Sequence, residues 1–226
     1  DGIRDVERSR GLGDVYKRQN TCSGKDTIGI ELERDGFAYI SFGGLKEKEI
    51  LSQTETGILL EKQIKQGKPI TPKLGTELIA NSLTPGTNII SGFPISREEL
   101  ETFKQLLNTL RNWTIKGVII LEIDESLVSE RFFTRRVCPV CQFSGKEGDV
   151  CPEHKMALIK RFDCNEREFA FRLTLYRHRI KPFLESGALR EYPQLVINVS
   201  NLSKSEIVEK VKSFIRKTKR KEEKNE

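Results

Sequence analysis

The sequence predicts an α/β fold with a parallel sheet covered on both faces. Three observations predict it. Four short, β-branched apolar runs are bounded by turn residues. Helical patterns with readable starts lie between them. The two kinds of segment alternate along the chain, which is the pattern of a sheet sandwiched by helices. The 226 residues can build one large or two modest domains with a sizeable core. Hydrophobic residues make up 36% and charged residues 32%, a globular balance with no apolar run long enough to span a membrane. A net charge of +6 points toward an anionic partner, depending on where the charge sits.

Residues 1–19, DGIRDVERSRGLGDVYKRQ, hold five basic and four acidic residues and no apolar period. The segment is similar to translated sequencing-adapter read-through and is set aside as non-native, so the native protein is expected to begin near Asn20. Ser23-Gly24-Lys25-Asp26-Thr27 comes next and runs into a helical pattern at Ile28, Ile30 and Leu32. A small-Gly-Lys-x-Thr turn opening a helix offers backbone N–H groups and the helix dipole to a phosphate chain. Lys25 can reach the outer phosphates and Thr27 can ligate Mg²⁺. A full motif has Gly five residues before Gly24, where Gln19 stands. An ordinary polar turn is the alternative that these five residues alone leave open.

Phe37–Ile40 reads as the next strand. Thr71-Pro72 is a cap followed by proline at a first helical position. Asn88–Ile90 is a strand, and Ser96 with Glu99 forms a capping-box spacing ahead of Leu100, Phe103 and Leu107. Gly117–Ile123 and Gln194–Asn198 are the last two strands. Ser203 and Glu206 repeat the box before Ile207, Val211 and Ile215. Residues 216–226 are a charged tail, a solvated helix end or a disordered one. Removing residues 1–19 and 216–226 leaves a body of only +2, so most of the basic signal lies at the edges.

The stretch 138–164 interrupts the alternation. Cys138-Pro-Val-Cys141 and Cys151-Pro-Glu-His154 are paired knuckles, each placing two ligands on one side of a tight turn. Three thiolates and one imidazole favour structural zinc over harder or redox metals. With all four positions filled by protein, the metal stiffens and does not catalyse. Cys22 and Cys164 lie outside this pattern, and His178 reads as a solvated helix residue.

Four segments carry a family resemblance, in order after the loop: TETGILLEKQIKQGKPITPKL (54–74), SGFPIS (91–96), ESLVSERFFTRRVCPVC (125–141) and LIKRFDCNEREFAFRLTLY (158–176). They resemble the adenylate kinase family of nucleoside monophosphate kinases. The fold this implies is a P-loop kinase-like three-layer sandwich with a five-stranded parallel sheet, its first strand lost or replaced, and a small zinc-bearing LID insertion. The implied layout is a kinase domain over 20–215, acceptor-binding helices over 45–74 and a LID over 136–162. The activity implied is transfer of the γ-phosphoryl group of ATP to a nucleoside monophosphate, AMP by default, with ATP-Mg and structural Zn. By resemblance, Lys25, Arg135, Arg161 and Arg172 are catalytic. Ser23, Gly24, Lys25, Asp26, Thr27, Arg131 and Arg135 hold the donor, with Arg131 against its base. Ser41, Lys46, Lys68, Ile70, Gly92, Phe93, Arg97, Glu99, Arg161 and Arg172 form the acceptor site. Cys138, Cys141, Cys151 and His154 hold the metal, and Asp163 orients LID arginines. The same resemblance implies a cytoplasmic monomer with no membrane partner and no nucleic-acid partner.

The acceptor side departs from the family pattern. Ile95 stands where an Arg follows Gly-Phe-Pro, Phe42-Gly43-Gly44 replaces Thr-Gly-Asp, and Glu47 replaces a nearby Arg. Glu99 replaces a base-reading Gln, Ser91 the Asp opening its loop, and Cys164 one of two adjacent Asp residues. Lys46 and Arg97 are the cations placed to substitute, although neither is equivalent to an Arg at a bidentate site. Two alternatives follow: an ATP-binding paralogue with a degenerate acceptor site, and a zinc-ribbon nucleic-acid module.

Overall fold

The computed structural model describes residues 14–18, 22–66, 68–110, 113–140, 143–160 and 164–222. Five parallel strands form the main sheet: β1 (Asp14–Arg18), β2 (Ala38–Ser41), β3 (Asn88–Ser91), β4 (Ile115–Glu122) and β8 (Gln194–Asn198). Their order is β2-β3-β1-β4-β8. A second, antiparallel sheet of two-residue strands, β5 (Arg136–Val137), β6 (Ser144–Gly145) and β7 (Ile159–Lys160), forms inside the cysteine insertion. The helices are α1 (Lys25–Arg34), α2 (Phe42–Leu51), α3 (Glu55–Lys65), α4 (Pro72–Ala80), α5 (Arg97–Leu110), α6 (Glu125–Thr134), α7 (Glu166–Leu175), α8 (Lys181–Glu185) and α9 (Lys204–Glu222). A π-helical turn, Tyr176–Ile180, joins α7 to α8 and carries exposed His178. The four sequence-predicted strands all form, within two residues of their expected bounds.

Both faces of the sheet are covered, which explains the unbroken apolar runs. Successive strand residues point to opposite faces. Ile90 and Val118 pack with Leu60, Leu78, Ile79, Leu100, Phe103 and Phe183 on one side. Their neighbours Ile89 and Ile119 pack with Ile28, Leu32, Ile207, Val211 and Ile215 on the other. Both capping boxes close, with one difference. The Ser203 hydroxyl accepts from the Glu206 N–H at 3.3 Å, and the Glu206 carboxylate accepts from the Ser203 N–H at 2.8 Å. At α5, Ser96 accepts from the Glu99 N–H at 3.2 Å, but Glu99 reaches one residue further back, to the Ile95 N–H at 2.6 Å. Thr71 precedes Pro72 at the start of α4 without a side-chain capping bond. The helix α9 extends through the first part of the charged tail to Glu222.

The segment set aside as non-native supplies the central strand. Val15–Lys17 pairs with Ile89–Ser91, and Val15–Arg18 pairs with Gly117–Ile120, with a register shift at Asp14. The strand slot expected to be lost or replaced is filled by this segment, which pairs in parallel register with both neighbours. Asp14, Lys17 and Arg18 stand in a position where parallel sheets carry apolar runs. The exposed edges of β3 and β4 need backbone partners, and a backbone can supply those bonds whatever its side chains.

Gly29 shows how α1 is seated on the sheet. A Cβ there falls 2.1 Å from the Tyr39 ring, so the glycine admits an aromatic side chain against the helix backbone. Gly29→Ala gains about 1 kcal/mol of helix propensity but overpacks this contact by about 3 kcal/mol. The net loss lowers Tm by about 4–8 °C for a chain of this size, measurable by thermal denaturation. Gly29→Ala combined with Tyr39→Ala is expected to recover part of it.

Candidate functional site

In a parallel sheet every strand ends on the same edge, and that edge is where ligands bind. Here the carboxyl ends of β2 and β3 carry Ser41 and Ser91, and α1 begins beside them. Gly24 caps α1 in the left-handed region, at φ 82°. Ser23 before it is buried. The first turn of α1, from Lys25 through Thr27, therefore presents N–H groups that have no acceptor within the helix. Gln19 lies outside the described residues.

Asp26 is the electrostatic centre of this edge. Its Oδ1 accepts from Tyr39 Oη at 2.7 Å, Ser91 Oγ at 3.3 Å and Ser41 Oγ at 3.4 Å, and Tyr39 and Ser91 also bond each other at 2.8 Å. Its Oδ2 pairs with Lys25 Nζ at 3.4 Å. Burial pushes the Asp26 carboxyl upward, but Lys25, the Tyr39 hydrogen bond and Arg135 outweigh it and hold the group far below the usual carboxylate range. Burial and the Asp26 charge push the Tyr39 phenol far above its ordinary value. Tyr39 was invisible as a site residue in the sequence. A glycine inside the α1 pattern was the signal available for it.

Of the expected cations, Arg131 and Arg135 lie at the end of α6 and Arg172 lies on α7. Arg135 follows the last residue of α6 and is close enough to act on the Asp26 carboxylate. Arg131 donates to the carbonyls of Val199 and Ser200, both at 3.3 Å, tying α6 to the end of β8. Arg172 on α7 pairs with Glu168 at 2.8 Å and lies over the Phe132 ring, 5.6 Å from its centroid. Phe132, Phe133 and Phe169 pack mutually at 5.1–5.3 Å, which joins α6 to α7 below the insertion. Arg161 and Asp163 lie outside the described residues.

On the acceptor side, Ser41 caps α2 by accepting from the Gly44 N–H at 3.3 Å. Lys46 lies 5.0 Å from the centroid of the Phe42 ring. Burial pulls its pKa down; Glu99 and Glu168 act against that shift, and Arg172 adds to it. These four residues bring α2, α5 and α7 together. Glu99 is only 4% exposed and pairs with Arg179 at 2.7 Å, a partner the sequence did not reveal. Gly92 turns at φ 80°, whereas the Phe93 side chain is wholly core, packed on Phe42 and Phe103. Lys68 and Arg97 are exposed, and Ile70 is half-buried against the core.

In the insertion, ligand atoms of Cys138, Cys151 and His154 lie within 4.8 Å of one another. His154 Nδ1 is 3.6 Å from Cys151 Sγ, and the His154 N–H donates to that sulfur at 3.4 Å. Cys141 lies outside the described residues. Two thiols and an imidazole gathered this closely are a soft donor set suited to zinc. Cys164 is separate: its thiol donates to the Phe132 carbonyl at 2.9 Å.

A glycine-capped loop opening a helix at the carboxyl edge of a five-stranded parallel sheet is the arrangement of a P-loop kinase-like α/β fold. No family model matches the chain. It is similar to the adenylate kinase of Hydrogenobaculum sp. (strain Y04AAS1), at 29% identity over 204 residues, covering 85% of this chain and 95% of that protein. It is similar also to the adenylate kinases of Mycoplasma mycoides subsp. mycoides SC, at 26% identity over 72% of this chain and 80% of that one. For Mycoplasma capricolum subsp. capricolum the figures are 24% identity, 85% and 94%. The resemblance to the adenylate kinase family holds over most of the chain. These similarities favour neither the degenerate paralogue nor the nucleic-acid module. Among the described residues, no helix is long and apolar enough to cross a membrane.

Proposed function

We propose that this chain transfers the γ-phosphoryl group of ATP to AMP. The observation that carries the reading is the Ser23–Thr27 loop, which opens α1 at the sheet edge beside Arg135. In this reading the N–H groups of the first turn and Lys25 receive the donor phosphates. Arg135 and Arg172, with Arg161, bring positive charge to oxygens whose charge shifts as the phosphoryl group moves. The Thr27 hydroxyl is a hard oxygen donor that fits magnesium and would hold it. When bound, the ion supplies charge neutralisation at the phosphates. Arg131 lies along the donor base.

The acceptor lies between the 45–74 helices and the Gly92 turn, with Ser41, Lys68 and Ile70 around it. Its phosphate is met by Lys46 and Arg97 in place of the arginines absent at 47 and 95. The insertion, spanning 136–162 and held by Cys138, Cys141, Cys151 and His154, closes over both nucleotides and excludes water, which would otherwise take the phosphoryl group. Zinc, when bound, supplies the rigidity of that flap. Reduced thiol ligands favour a reducing compartment, and the proposed setting is the cytoplasm, with the chain acting as a monomer.

The test is ATP consumption by the purified protein with AMP, CMP, GMP, UMP or dTMP. Turnover with AMP is expected, and turnover with none of them overturns the reading. Lys46→Ala and Arg97→Ala are each expected to raise the KM for AMP by about tenfold, the loss of one charge-assisted contact of about 1.5 kcal/mol. A pH profile adds a second check. Only the protonated Lys46 ammonium attracts phosphate, and its pKa lies below the ordinary lysine value. Acceptor affinity should therefore weaken with rising pH before an ordinary lysine deprotonates, and Lys46→Arg should move that loss to higher pH.

A further inference from the structure

We infer that Asp26 is a charge-bearing ligand-side residue: its carboxylate holds the divalent cation, directly or through bound water, against the donor phosphates. The inference rests on the kinase reading above and adds a role that the loop pattern alone does not assign. The residue has two different ends. Oδ1 accepts from Tyr39 at 2.7 Å, with the Ser91 and Ser41 hydroxyls at 3.3 and 3.4 Å and Ser91 also bonded to Tyr39, all on strands of the sheet. Oδ2 faces Lys25 at 3.4 Å, and 35% of the side chain's surface remains open.

The charge count completes the argument. A fixed anion beside a polyphosphate site repels the ligand unless a cation stands between them. Burial works against the charge on Asp26, but Lys25, the Tyr39 hydrogen bond and the nearby Arg135 outweigh it and keep the carboxylate ionised. Magnesium sites on nucleotides use one or two protein carboxylates together with the phosphates and retained water. When Lys25 turns to the phosphates, Oδ2 gives up this ion pair and becomes available to a cation. Tyr39, Ser41 and Ser91 are then positioning residues, and Gly29 is the gap that lets Tyr39 reach.

The experiment compares ATP affinity with and without magnesium, by calorimetric titration of the full chain and of Asp26→Asn. The variant keeps the shape and an acceptor for Tyr39 but loses the charge. Metal-free ATP is expected to bind the variant as well as or better than the parent. The ratio of magnesium-bound to metal-free affinity should fall by about tenfold, the size of one charge-assisted contact. An unchanged ratio overturns the inference and leaves Asp26 as an anchor for Tyr39. A parent that binds ATP in neither condition overturns the kinase reading and the inference with it. A second measurement needs no variant. Manganese-ATP added to the carboxyl-labelled parent should broaden the Asp26 carboxyl NMR resonance before the other aspartates, and an untouched Asp26 signal overturns the inference.

Discussion

Lys25→Ala is expected to lower phosphoryl transfer from ATP to AMP by about 10²–10³, the usual loss when one preorganised charge at a transition state is removed. The lysine is the first residue of α1, so its backbone is fixed by the helix while its side chain stays free to turn from Asp26 to a phosphate. The loss should fall mainly on kcat, because charge on the transferring oxygens rearranges most in the transition state. Stability should change little, since the Lys25 and Asp26 side chains are 30% and 35% exposed and such pairs contribute about 0–1 kcal/mol. Steady-state kinetics with a parallel thermal melt separate the two effects. A Lys25→Ala protein with parental kcat removes the donor phosphates from this loop and refutes the proposed mechanism.

The framework was legible in the sequence because burial on both faces leaves a strong local signature. Ile89 and Ile90 serve opposite cores, so a run of apolar residues is required, and the run is what the sequence shows. Capping residues likewise act within three positions, as Ser203 and Glu206 do. The central strand was not legible. Asp14–Arg18 has no apolar pattern, and its place is set by the hydrogen-bonding demand of β3 and β4, which lie more than seventy residues away. The polar contacts of the site hid for the same reason. Asp26 meets Ser91 across 65 positions and Glu99 meets Arg179 across 80, and no local pattern encodes either pair. Glu99 looked like a base-reading residue by its place in a motif. Its two oxygens are instead engaged by the Ile95 N–H and by Arg179, so it also holds the turn after Pro94 against the π-helical segment.

Removing zinc is expected to open the insertion while leaving the main sheet intact. The flap's own core is Cys138, Cys151 and Leu158 with Phe143 packed against them, and its three strands are two residues long. So small a core does not stand without a staple. Without a cation, two thiolates within 4.8 Å would repel, so they must take up protons and give up the tetrahedral grip. The purified chain should carry stoichiometric zinc by elemental analysis. After chelation, hydrogen exchange and protease cleavage should rise within 143–157, whereas β3 and β4 stay protected. Cys151→Ser should behave as the chelated protein does. Transfer to AMP should fall by about 10²-fold, the cost of misplacing catalytic groups by about 1 Å, because Arg135 sits at the insertion's base and Arg136 opens its first strand. Retained protection and activity in the metal-free chain would mean that the flap holds by its own packing. A metal bound there would fix a flap whose described residues hold too little apolar surface to fix it.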